Sequence, residues 1–255
     1  AGGFVGSPVD PGQSVIAPLL RERRRTRVDV AILSHPHPDH FGGLLSVLRA
    51  VPFGEFWDTG QGESEGAGPE YRALLTELRR RNVSVRRPAA LCARAHGFGA
   101  AELEVLAPCP AYEAGVGAND NSFVLRLRYG RHRVLLTGDA EQHQEAALVE
   151  RWGDGLQADL LKVGHHGSRT SSSSAFLARV RPRIATVSCG LRNRFGHPHE
   201  PALVRLGQAA AFTLRTDELG SILWESTGHA FWVSAFTLSR VDEAELYRYQ
   251  NQERP

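Results

Sequence analysis

Between positions 35 and 40 the chain reads His35-Pro36-His37-Pro38-Asp39-His40, three imidazoles and a carboxylate in six residues. A strand-like run, 28–33, leads into it, and Phe41-Gly42-Gly43 and an apolar helical pattern from Leu44 to Val51 follow. The fold must therefore contain a strand, a donor-bearing loop and a helix in immediate succession. Imidazole and carboxylate are ligands of zinc and, with more oxygen, of manganese. Alternate residues of an extended loop point the same way, so His35, His37 and Asp39 can converge, and His40 enters from the start of the helix. Four donors exceed what one four-coordinate ion holding a water requires, so the spacing suggests two adjacent metals. Taken singly, Asp39 reads as a helix N-cap and Gly42-Gly43 as close packing; the four donors together read as a metal site.

Three further segments share this topology. Leu135-Leu136-Thr137-Gly138-Asp139 is a buried-type strand ending on a carboxylate, although Asp139 alone would read as the cap of a helix starting near Glu141. Lys162 to Ser168 is an apolar strand end carrying His165 and His166 between glycines, and Arg194 to His199 places His197 and His199 after a strand at 184–188. In α/β folds such strand ends gather on one sheet edge and form the site. The serines 171–174 are read as capping a helix that begins near Ser174.

A chain of 255 residues fits one α/β domain. We expect one domain over 1–240 and a charged peripheral helix or tail over 241–255. No stretch reaches the roughly 18 apolar residues of a membrane span, and no signal peptide is visible. The absence of Met and the opening Ala1-Gly2-Gly3 suggest a fragment or domain of something longer. A net charge of +2 makes no strong case for nucleic acid, and arginine clusters such as 23–25, 79–81 and Arg126/Arg128/Arg131/Arg133 read first as solvated surface. Cys92, Cys109 and Cys189 show no C-x-x-C spacing and imply no disulfide framework, which leaves the compartment open. Helices are expected over 15–25, 44–51 and 70–81, a flexible loop over 59–69, and a strand pair over 122–129 and 133–137.

The motifs SHPHPDHFGG, NDNSFVLRLRYGRHRVLLTGDAE, DLLKVGHHGSRTSSSSAFL, NRFGHPHEPALVRL and LRTDELGSI run in order from position 34 to 222. With them the chain resembles the metallo-β-lactamase superfamily, and within it the C-terminal β-lactamase-like domain of ComEC-type DNA-internalisation competence proteins. The resemblance implies an α+β fold, an αββα sandwich with a dinuclear site at one edge. Ala1-Gly2-Gly3 then resembles the end of the strand before the metal loop, with the first hairpin missing upstream. It also implies that His35 and His37 hold a first metal, that Asp39, His40 and His165 hold a second, and that Asp139 bridges. The family's further histidine for the first site is absent: the loop reads Asn119-Asp120-Asn121-Ser122, where Asn119 or Asp120 can substitute through oxygen. That departure favours a harder ion, so the cofactors expected are two divalent ions, zinc or manganese.

Two close cations lower the pKa of a shared water and stabilise charge on the attacked oxygen. Asp39 would orient the hydroxide, and His197 or His166 would give a proton to the leaving oxygen. The leading expectation is a metal-dependent phosphodiesterase or nuclease-like domain of the DNA-uptake machinery, acting on one DNA strand. It would follow a membrane channel domain and face the outer side of the cytoplasmic membrane. Two alternatives are a metallohydrolase of a small phosphoester or lactone, and a non-catalytic DNA-guiding module with a vestigial site.

Overall fold

The computed structural model describes residues 9–92, 94–236 and 246–250. The chain divides into two compact units that alternate along the sequence: one holds 1–92 and 107–123, the other 93–106 and 124–255.

The first unit is built on three parallel strands, β1 (Val28–Ile32), β2 (Phe53–Trp57) and β3 (Ser84–Arg86), in that spatial order. Val30 pairs with Glu55 and Phe56 with Val85. The helix Gly68–Arg80 buries Tyr71, Leu74, Leu75 and Leu78, the i, i+3, i+4, i+7 stripe of an amphipathic helix. Leu44, Val47 and Leu48 of the helix Leu44–Ala50 join that stripe, with Phe53 and Phe56 from β2, in one apolar cluster. The helix expected over 15–25 starts and ends earlier, as a wide turn, Gly12–Ile16, running into Ala17–Glu22. The 59–69 segment, expected as a flexible loop, contains a wide helical turn, Gly62–Gly66. It is pinned at its start: buried Asp58 accepts from the Gly60 N–H at 2.8 Å and from the Tyr71 hydroxyl, and pairs with Arg87 at 3.1 Å. Burial first, then the Asp58 charge, raises the Tyr71 pKa well above its ordinary value.

Cys92 and Cys109, both of the first unit, form a disulfide. This corrects the expectation of no disulfide framework. The pair lies 17 positions apart, and most of the residues between them fold into the second unit, so local spacing carried no sign of it.

The second unit contains a seven-stranded sheet in the order β10-β9-β8-β7-β6-β5-β4, from β4 (Ala95–Phe98), β5 (Ala101–Ala107), β6 (Val124–Tyr129), β7 (His132–Leu136), β8 (Leu160–Lys162), β9 (Ile184–Val187) and β10 (Phe212–Arg215). The strand pair β6/β7 is antiparallel around the Gly130 turn, as its alternation predicts. From β7 to β10 all neighbours are parallel, with Val134 opposite Leu160 and Leu160 opposite Ile184. The C-terminal ends of β7, β8 and β9 therefore lie side by side on one sheet edge. A small sheet follows, β11 (Ser221–Ser226), β12 (Phe231–Phe236) and β13 (Leu246–Gln250), all antiparallel. Leu246–Gln250 is thus a strand, where a helix or tail was expected. The rest of 241–255, and the Ala1-Gly2-Gly3 opening, lie outside the described residues.

Candidate metal centre

The first unit carries the H-x-H-x-D-H loop. Strand β1 ends at Ile32, and Leu33 N–H still donates to the Trp57 carbonyl, so the backbone stays in register with β2 up to the motif. His37 is the extended residue before a four-residue helix, Pro38–Phe41, with proline at its first position, where a missing N–H costs nothing. Phe41 closes that turn by burying its ring edge-on against Tyr71. Asp39 and His40 are thereby presented on the first helical turn, His40 Nε2 lying 3.7 Å from Asp39 Oδ2.

His35 is fully buried. Its Nδ1 sits 3.2 Å from the hydroxyls of both Ser34 and Ser122, and its Nε2 sits 3.1 Å from His37 Nδ1. Two nitrogens on one tetrahedral zinc, each about 2.0–2.1 Å from it, lie about 3.3 Å apart. The His35 and His37 nitrogens match that separation. Ser34 Oγ also meets His40 Nδ1 at 3.1 Å, so one hydroxyl orients two rings. Asn119, the residue expected to replace the missing histidine, opens the short turn Asn119–Asn121. Asn121 stitches that loop together through the Glu113 N–H and the carbonyls of Glu113 and Val116, and Ser122, one residue on, reaches His35.

The second unit carries Asp139, His165, His166, His197 and His199 on the loops after β7, β8 and β9. Thr137 donates to the Lys162 carbonyl and Lys162 Nζ to the Gly138 carbonyl, which locks the β7 and β8 loops together. Gly164 is needed there, because a Cβ would stand 2.6 Å from the Ala140 carbonyl oxygen. His165 and His166 both take left-handed backbone angles, φ 41° and 53°, a strained conformation for non-glycine residues and typical of functional loops.

The strain separates the two rings. His165 Nδ1 faces the Glu141 carboxylate, which also accepts from the Thr170 hydroxyl. His166 Nδ1 lies 2.7 Å from the Ser188 carbonyl, so Nδ1 carries a proton and Nε2 points away from that contact. His166 Nε2 faces Asp139 Oδ2 at 3.4 Å, with Asp139 nearly fully buried. Lys162 Nζ stands 3.7 Å from the other Asp139 oxygen. An imidazole nitrogen and a carboxylate oxygen placed this way can share a cation, either a proton on the ring or a metal ion. The donor set therefore fits a divalent ion. The sequence expectation put His165 with Asp139; in the structure His166 meets the carboxylate, and the His165 ring lies between Glu141 and the His197 ring, whose centroid is 5.4 Å away.

His197 is oriented by Asn193, which accepts from its N–H and donates to its carbonyl. Burial, then the neighbouring histidines, lowers its pKa to about 4. The serine run behaves as a cap: Ser173 accepts from the Phe176 N–H, while the buried Glu145 accepts the N–H groups of Ser172 and Ser173. Ser34, Ser122 and Glu141 are the orienting residues that sequence reading passed over. Serine beside an H-x-H motif, or ending an N-D-N-S loop, is too common a pattern to single out.

The family model described as "Metallo-beta-lactamase superfamily" matches residues 9–191. ComE operon protein 3 of Bacillus subtilis (strain 168) is 30% identical over 222 residues, covering 84% of this chain and 27% of that protein. Competence protein ComA of Neisseria gonorrhoeae is 33% identical over 220 residues, covering 86% of this chain and 28% of that protein. The chain thus spans little more than a quarter of these relatives. Among solved structures, CmlA, a diiron beta-hydroxylase from Streptomyces venezuelae, aligns with a TM-score of 0.49 and 16% identity, over 74% of this chain and 44% of that one. A family model that covers most of the chain and includes the whole H-x-H-x-D-H loop leaves one assignment: the chain belongs to the metallo-beta-lactamase superfamily.

Proposed function

We propose that the chain is the hydrolytic domain of a larger DNA-uptake protein, a metal-dependent phosphodiesterase acting on a single DNA strand. The observation that carries the reading is the His166–Asp139 pair. The imidazole of His166 and the buried Asp139 carboxylate face each other at 3.4 Å, two donors suited to one divalent ion, on a loop of two left-handed histidines. In this reading His35 and His37, with an oxygen from Asn119, hold one ion. Asp39, His40 and a histidine of the His165-His166 pair hold the other, and Asp139 is shared. Bound there, zinc or manganese would acidify water and neutralise charge on a phosphoryl oxygen. Asp39 orients the attacking water, and His197 offers its N–H to the leaving oxygen, with His166 the alternative donor if His165 takes the metal.

The names of the relatives support the DNA-uptake setting, and the Cys92–Cys109 disulfide supports an oxidising compartment such as the outer face of the cytoplasmic membrane. Among the described residues no helix is long and apolar enough to cross a membrane, so a channel would have to come from another part of the full protein.

The test is a nuclease assay on single- and double-stranded DNA, adding manganese, zinc or magnesium to metal-free protein, with bound metal measured in parallel. Metal-dependent cleavage of single strands, lost in Asp39→Asn with metal still bound, is the expected result. Bound metal with no cleavage of any phosphodiester would overturn the catalytic reading in favour of a DNA-guiding module. Turnover of small phosphoesters alone would overturn the choice of substrate.

A further inference from the structure

The loop from Gly190 to His197 presents a surface that metal chemistry does not explain. Leu191 is 73% exposed and Phe195 50% exposed, two large apolar side chains within five residues. The Phe195 ring lies nearly parallel to the His197 ring, 25° apart with centroids at 5.9 Å, and the Arg194 guanidinium lies 4.8 Å from the Phe195 centroid. Asn193 ties the loop together, bridging the Gly190 and His197 carbonyls and the His197 N–H. Arg192 is exposed at its tip. From Gly190 to His197 the sequence contains two arginines and no aspartate or glutamate, so this loop carries positive charge although the whole chain is nearly neutral.

We propose that this loop is a base-stacking platform for single-stranded DNA, with Phe195 as the ring and Arg192 and Arg194 as the phosphate contacts. The inference rests on the DNA reading above and adds how the strand is held. An exposed ring beside guanidinium groups is the combination that binds single strands: bases stack on the aromatic face, and cations follow the backbone. A membrane surface would call for an amphipathic helix, which this loop does not form. Because Phe195 stands two residues from His197, a strand stacked on it is led to the histidine cluster.

The experiment compares a fluorescein-labelled oligothymidylate with an abasic oligonucleotide of equal length, binding metal-free protein in chelator by anisotropy. The wild-type protein should prefer the base-bearing strand by roughly 5- to 150-fold, the range that about 1–3 kcal/mol from one stacked base supplies. Phe195→Ala should bring the two affinities within about twofold, and Phe195→Trp should restore the preference, which a loss of fold would not allow. Arg192→Gln/Arg194→Gln should weaken both strands alike and flatten the salt dependence. An unchanged preference in Phe195→Ala, in protein that binds and cleaves single strands, overturns the platform alone. Wild-type protein that binds neither strand overturns the platform and the DNA reading together.

Discussion

The two serines that flank His35 give the sharpest handle on the metal loop. For Nε2 to bind a metal, the proton of neutral His35 must sit on Nδ1, and Nδ1 faces the hydroxyl oxygens of Ser34 and Ser122, each at 3.2 Å. Ser34 Oγ also meets His40 Nδ1, and a hydroxyl has two lone pairs, so Ser34 can accept from both rings. Ser122→Ala should therefore be mild, about 0.5–1.5 kcal/mol, the net value of one hydrogen bond. Ser34→Ala/Ser122→Ala takes both hydroxyls from a ring with no solvent exposure. Its metal-free form should lose about 1–3 kcal/mol of stability, the cost of stripping a buried donor. Its metal affinity should fall about 10- to 100-fold, as for other second-shell partners of ligating histidines. Competition against a chelating dye measures the affinity, urea melts of metal-free protein measure the stability, and Ser122→Thr, which keeps the hydroxyl, serves as control. If the double variant binds metal within about twofold of wild type, the serines do not set the tautomer and His35 is not held as argued.

Arg87→Leu should destabilise the protein by about 3–5 kcal/mol, because it strands the fully buried Asp58 carboxylate; a urea melt showing under about 1 kcal/mol would contradict the ion-pair account. Reducing Cys92–Cys109, or replacing both cysteines with serine, should cost about 3 kcal/mol, the chain-entropy value for a loop of this size, read as a lower thermal midpoint. Burial, then the Asp217 carboxylate, pushes the Cys189 thiol up to about 12, so it stays protonated at pH 8. Iodoacetamide should label it at least tenfold more slowly than a free cysteine, and labelling should speed up only as pH approaches that value; fast labelling at pH 8 would contradict the contact. Metal titration should show two unequal steps, the weaker one at the His35/His37 site, and Asn119→His should tighten that step and favour zinc. Two equal, tight zinc steps in the unaltered chain would mean that another residue completes the site.

Much of this was legible in the sequence because it is local. The β6/β7 pair and the Ser173 cap both depend on residues near one another, and each took the form its spacing predicts, whereas Asp39, expected on the extended loop, already lies in the first turn of Pro38–Phe41. The Gly68–Arg80 helix followed from its apolar stripe. What was not legible depends on partners far along the chain. The Cys92–Cys109 bond closes over a segment that folds into another unit, and the Ser122–His35 contact spans 87 residues. The turn at Gly62–Gly66 was hidden by glycine-rich composition, which reads as loop until Asp58, Arg87 and Tyr71 are seen to hold its base. Leu246–Gln250 read as tail because its charged surroundings mask a strand that forms only by pairing with β12.

The two adjacent histidines show why sequence stops short of assigning ligands. His165 and His166 have the same chemistry and consecutive numbers, and an extended chain would send them to opposite sides. Two left-handed residues in a row replace that alternation, and the outcome then rests on what each Nδ1 can reach. His165 Nδ1 reaches the Glu141 carboxylate. His166 reaches a neutral carbonyl, which fixes one proton on Nδ1 without favouring a second, and its Nε2 turns toward Asp139. A neutral outer partner suits a metal ligand, and so does a carboxylate that helps to strip a proton. The difference between the rings is therefore one of charge balance. Glu141→Gln should leave the metal in place if His166 is the ligand, and weaken it about 10-fold or more if His165 is. Isothermal titration of the second metal step in Glu141→Gln beside His166→Ala separates the two, and a metal-retaining His166→Ala would return the role to His165.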